Sequence, residues 1–183
     1  MEKIMIFESA FKYKKQIKKL YYSAFPLDER VWLPLLYHKT KNSNYEFFAI
    51  TDNGNFVGLI YTIKTSKLVY IYFLAVQEEF RGKGYGTNVL QNIKQLNPDR
   101  TVILMIEDTS DKTASNYDER INRLKFYQNN GFKQLNISIN ELGVDFELLG
   151  TDTNVEQNDF LCLMRDYLGS KLLYKYFYRK MNI

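Results

Sequence analysis

At 183 residues the chain is long enough to bury one substantial core, and it is read as a single domain over 1–183. Its 25 Lys and Arg against 21 Asp and Glu leave +4, enough to attract an anionic cofactor but too little to imply nucleic acid. Cys162 is the single cysteine, so neither an internal disulfide nor a thiolate metal cluster can form; a reducing cytoplasm fits, no metal is expected, and no apolar window approaches membrane-spanning length.

Ile4 to Phe7 is too short for a signal h-region, and residues 3–7 are expected to form a strand. Phe11, Ile17, Leu20, Tyr21 and Ala24 recur at helical spacing and predict a helix over about 9–24. Asp28 is expected to cap a second helix reaching about residue 40, with Pro34 marking a kink or restart. From Tyr45 the period changes: two apolar runs flank Asp52-Asn53-Gly54 as a hairpin, and Leu68 to Val76 follows as a strand apolar on both faces. A helix from about Gly84 to Leu96, a strand over 101–106 and a helix over 117–130 closed by Gly131 complete the middle of the chain. Residues 132–150 predict a hairpin turning near Gly143; Val155 to Tyr167 has helical spacing and leads into a basic aromatic stretch from Lys171 to Lys180.

The densest glycine cluster, Arg81-Gly82-Lys83-Gly84-Tyr85-Gly86, lies between the apolar strand and a helix. Residues without a Cβ let successive N–H groups turn toward a phosphate, and the helix adds the positive end of its dipole. Spacing excludes a P-loop, because Lys83 is followed by Gly84 instead of Ser or Thr. A dinucleotide fingerprint fails too, since Val89 stands where its third glycine belongs.

Arg81-x-x-Gly84-x-Gly86 after an apolar strand resembles the coenzyme A signature of the GCN5-related N-acetyltransferase (GNAT) superfamily. Phe126-Tyr127-Gln128-Asn129-Asn130-Gly131-Phe132 resembles the family's second motif, a helical Tyr followed by Gly-Phe at a strand start. The likeness covers roughly residues 45 to 135. Many relatives carry Asn and Ala seven and four residues before the Tyr; this chain has Arg120 and Arg123, as a subset of the superfamily does. The resemblance implies an α+β fold with a central mixed, mostly antiparallel sheet flanked by helices, splayed between two parallel strands, 68–76 and 101–106.

It further implies acetyl-CoA as co-substrate and a primary amine on a small molecule, peptide or protein as acceptor. Pantetheine would run along the backbone of Leu74 and Val76. The pyrophosphate would be received by the N–H groups of Gly82, Gly84, Tyr85, Gly86 and Thr87, with Arg81 and Lys83 adding charge. Tyr127 is the expected acid for the leaving thiolate, needing only a modest lowering of its phenolic pKa. Glu107, at the end of an apolar strand beside Asp108, is the expected base through water or an orienting group.

Other polar residues have simpler readings. Glu29 and the cations Lys12, Lys14, Lys15, Lys18 and Lys19 read as surface, His38 as surface or half-buried, and Cys162 as core filler. Tyr70 and Tyr72 share one face of their strand, and Tyr72 is a minor candidate for an acceptor pocket. A non-catalytic acyl-CoA-binding module is the alternative function. Nucleic-acid binding through the two lysine-rich segments fits the modest net charge poorly, and the molecule is expected to be a monomer or homodimer.

Overall fold

A computed structural model describes residues 5–141 and 143–169. The expectations for residues 3–4 and for Lys171 to Lys180 fall outside them. The described residues form two compact units, one of 5–64 with 71–96 and one of 65–70 with 97–141 and 143–169.

The first unit opens with β1 (Met5–Ser9), a 3₁₀ turn (Ala10–Tyr13) and α1 (Lys14–Ala24). The helix expected over 9–24 thus begins one tight turn before its α-helical part. Ile17, Leu20 and Tyr21 form its buried stripe, while Lys14, Lys15, Lys18 and Lys19 are exposed, as i, i+3, i+4 spacing demands. Tyr21 packs edge-on against Phe73, ring centroids 5.2 Å apart, and its Oη donates to the Val31 carbonyl and accepts from the Val31 N–H.

The second helix is shorter than expected. A 3₁₀ turn (Leu27–Glu29) precedes α2 (Leu33–Lys39), so Pro34 sits in the first helical turn, where a missing N–H costs nothing. His38, in the last turn of α2, is exposed.

β2 (Tyr45–Asp52) and β3 (Asn55–Lys64) pair antiparallel around Asn53 and Gly54, whose φ values of 49° and 80° are those of a two-residue hairpin turn. Every residue from Phe56 to Ile63 is buried. Between Ile50 and Thr51 the pairing skips Val57, a β-bulge beside Gly58. A Cβ on Gly58 would lie 2.3 Å from the Ala75 carbonyl oxygen, so this strand approaches its neighbour as only glycine allows. Within the unit the strand order is β1-β2-β3-β4, and β4 (Leu68–Val76) leads to α3 (Tyr85–Leu96).

In the second unit the order is β4-β5-β7-β6, with β4 contributing its first three residues. β5 (Thr101–Glu107) is followed by α4 (Tyr117–Asn129), β6 (Lys133–Glu141), β7 (Val144–Gly150) and α5 (Gln157–Leu168). β7 pairs antiparallel with both β5 and β6, and Gly143, with φ +97°, sits in the turn before β7. One feature the alternation did not foresee is a register break in β6 between Gln134 and Ser138, which contains Asn136 at φ +55°. Phe160, Leu161, Leu163, Met164 and Tyr167 bury one face of α5, and Tyr70 meets Phe160 edge-on at 5.3 Å. Cys162 is half-buried rather than core, with Sγ 3.6 Å from Arg165 Nη2. No helix among the described residues is long and apolar enough to cross a membrane.

Candidate active site

The glycine loop takes the form its composition suggests. After β4 a 3₁₀ turn (Glu78–Phe80) delivers Arg81, and Gly82 and Gly84 adopt φ of +69° and +83°. A Cβ at either glycine would meet nothing within 4 Å, so their dihedral angles, not crowding, demand glycine. Residues 81 to 84 are exposed, and α3 starts immediately after them at Tyr85, which directs the amides of its first turn out of the helix end. Gly86 and Thr87 lie in that turn, Gly86 with a helical backbone rather than a left-handed one.

Side-chain contacts hold the loop. Tyr85 Oη donates to Asp52 Oδ2 at 2.6 Å, a bond that also pushes the phenol's pKa up; Phe80 packs edge-on against Tyr85 at 5.5 Å; and Lys83 Nζ stands 5.6 Å from the Phe80 ring centre. Arg81 Nε donates to the Val76 carbonyl at 3.2 Å, so one backbone group expected to face pantetheine has a side-chain partner in this structure. Along β4, Ile71, Phe73 and Ala75 are buried, whereas Tyr72, Leu74 and Val76 are half-buried and share the opposite face.

In the second unit Glu107 closes β5, and four contacts from three residues reach its carboxylate. Oε1 lies 3.0 Å from both Asn116 Nδ2 and Arg120 Nη2, and Oε2 lies 3.1 Å from both Asn116 Nδ2 and Arg123 Nη1. Arg120 is further fixed by Asn116 Oδ1 and the Asp108 carbonyl, at 2.8 and 2.9 Å. Asp108 itself accepts from Ser110, which holds its carboxyl below the usual range.

Tyr127 stands where α4 ends, and its backbone is part of the stop. The Phe132 N–H bonds the Tyr127 carbonyl at 3.1 Å and the Gly131 N–H bonds that of Gln128 at 2.9 Å, with Gly131 at φ +82°. This is a Schellman motif, and its accompanying apolar contact is the Tyr127–Phe132 ring pair at 5.7 Å. The Tyr-x-x-x-Gly-Phe spacing is therefore a helix terminus that also fixes the tyrosine. Burial pushes its phenol up in pKa, against a smaller lowering from Arg123. The shift runs opposite to the lowering expected from sequence; a phenol is protonated at neutral pH with or without it.

Asp52, Asn116 and Gly58 hold candidate residues or strands in place without having been singled out from sequence. Gly58, isolated in an apolar run, carried a usable sign of a bulge; the other two looked like ordinary turn and loop residues.

Residues 43–134 match the family model of the acetyltransferase (GNAT) domain, half of the chain and both motif segments. The chain belongs to the GNAT acetyltransferase family. Among solved structures, a GNAT-family protein from Bacteroides thetaiotaomicron superposes with TM-score 0.70 at 19% identity, covering 92% of this chain and 97% of that one. An aminoglycoside 6'-N-acetyltransferase complexed with coenzyme A gives 0.65 at 16%, over 84% and 98% of the two chains. Arabidopsis thaliana Naa50, bound to a bisubstrate analogue joining CoA to the acetylated peptide MVNAL, gives 0.60 at 19%, over 81% and 98%. No curated protein matches the chain. At these identities the GNAT neighbours share the fold, a mixed sheet flanked by helices, as the sequence motifs implied.

Proposed function

We propose that this GNAT protein is one N-acetyltransferase domain that transfers the acetyl group of acetyl-CoA to a primary amine of a small molecule, peptide or protein, in the cytoplasm, as a monomer or homodimer. The observation that carries this reading is Tyr127, a half-buried phenol fixed by the helix stop in a chain that also has the exposed glycine loop. Relatives of the same fold are described with coenzyme A or a CoA-peptide analogue.

In this mechanism the N–H groups of Gly82, Gly84, Tyr85, Gly86 and Thr87 receive the pyrophosphate, Arg81 and Lys83 supply charge, and the Leu74 and Val76 backbone lines the pantetheine arm. A neutral amine attacks the thioester carbonyl carbon, forming the C–N bond. The tetrahedral intermediate collapses with breakage of the C–S bond, and Tyr127 gives its proton to the departing thiolate. The amine's own proton leaves through water and restores the phenol. Desolvation raises the pKa of a thiol as it does that of a phenol, which keeps donor and acceptor matched.

One observation favours the alternative of an acyl-CoA-binding module without turnover: Glu107, the expected base, already has both oxygens engaged. The deciding experiment is incubation with acetyl-CoA and a panel of amines, with thiol release and product mass as readouts. Turnover is expected with at least one amine, and Tyr127→Phe should lower kcat by about 10²–10⁴-fold while leaving acetyl-CoA affinity within about twofold. Tight acetyl-CoA binding with no acetylated product from any amine would establish the binding module instead.

A further inference from the structure

α4 carries Tyr127, yet none of its thirteen residues is fully buried. Helices of this length ordinarily gain their stability from a buried apolar face, and here Tyr117, Ile121, Leu124 and Tyr127 are only half-buried. Its attachment to β5 is polar. Arg120 and Arg123 reach Glu107 at 3.0 and 3.1 Å, and Asn116, the residue before the first turn, reaches both carboxylate oxygens. The Glu107 and Arg120 side chains are only 13% and 15% exposed, so their pair is shielded from the water and salt that weaken surface pairs, while Arg123, 41% exposed, adds a second contact from the rim. Arg120, Arg123 and Tyr127 stand at i, i+3 and i+7, one stripe of the helix, so the side that grips β5 also carries the tyrosine.

We propose that Glu107 is a positioning residue: its carboxylate clamps α4 to the end of β5 through Arg120 and Arg123 and thereby fixes Tyr127, and it does not accept the substrate's proton. An oxygen already accepting from two donors has little capacity left for a proton in flight. The placement of Tyr127 for acid catalysis rests on the acetyl-transfer reading; the clamp itself does not. The charge acting on the Tyr127 phenol is Arg123, four residues back on the same helix, while Phe126 and Phe132 pack against its ring. Glu107 therefore also sets how much of the Arg123 charge the phenol feels.

The test needs no acceptor and uses the full chain. Hydrogen exchange by mass spectrometry is compared for wild type, Glu107→Gln and Arg123→Gln. In parallel, fluorotyrosine-labelled protein is titrated by fluorine NMR, with the Tyr127 signal assigned by its loss in Tyr127→Phe. In Glu107→Gln, amides of 117–129 should exchange about tenfold faster or more, the factor expected from losing charge-assisted hydrogen bonds, while those of α5 are unchanged. The Tyr127 titration should move down in Glu107→Gln, because Arg123 loses its counter-charge, and up in Arg123→Gln. A helix that merely loosens and admits water would shift the phenol down in both variants. Unchanged exchange across α4 together with an unmoved Tyr127 titration overturns the proposal. If Glu107→Gln does not fold, Arg123→Gln decides alone: faster α4 exchange with an upward titration supports the clamp, and anything else removes it. Because neither readout involves turnover, failure of the clamp and absence of acetyl transfer are separate results.

Discussion

Two tyrosines of the first unit show how differently one hydroxyl can count. Tyr21 Oη both donates to and accepts from the Val31 backbone, so Tyr21→Phe strands two polar groups and should cost about 1–3 kcal/mol in urea denaturation. Tyr37 Oη is buried with no hydrogen-bond partner among the described residues, while its ring packs against Phe11 and Phe47. Removing that oxygen leaves the ring contacts in place. Tyr37→Phe is therefore expected to stabilise the protein by about 1 kcal/mol, read as a higher denaturation midpoint at unchanged slope. Neither outcome follows from sequence, where both residues are aromatics at apolar spacing and their oxygens are silent.

At the scale of elements, the joints are more demanding than the interiors. Gly58→Ala would push a Cβ to within 2.3 Å of the Ala75 carbonyl, a backbone atom that cannot swing aside. It should cost about 1–3 kcal/mol and, by displacing the strand whose Leu74 and Val76 are assigned to pantetheine, weaken acetyl-CoA binding in calorimetry. Gly131→Ala meets a different obstacle, a left-handed φ of +82°, and should cost about 1–2 kcal/mol and unravel the last turn of α4. Strands and helices were legible in the sequence because period and punctuation mark them: Leu68–Val76 has the predicted bounds, and Gly131 ends its helix as expected. The glycine loop and Tyr127 were legible for the same reason, since each is a local motif. What was not legible depends on residues far apart in the chain. Asp52 meets Tyr85 thirty-three positions away, and Glu107 meets Arg123 sixteen away; no period in the sequence encodes either encounter. Of the two readings of Pro34, kink or restart, the structure shows the restart, because proline suits a first helical turn.

For the whole molecule, tyrosine abundance sets the alkaline limit. Burial lifts Tyr21 and Tyr37 from 10 to about 12, so between those pH values the unfolded chain releases phenolic protons that the folded chain keeps. Stability should be flat with respect to these groups below pH 10 and fall as pH rises toward 12; urea midpoints at pH 9, 10 and 11 check this, and a Tyr21→Phe, Tyr37→Phe double variant should show a shallower slope, the remainder coming from the other raised phenols, Tyr85 and Tyr127 among them. Cys162, half-buried on α5 beside Arg165, has a consequence of another kind. One thiol per chain permits a single covalent union, between two copies through the same residue. Oxidation of this protein can yield a disulfide dimer and nothing larger, and any longer ladder of species on a non-reducing gel must have another chemistry behind it.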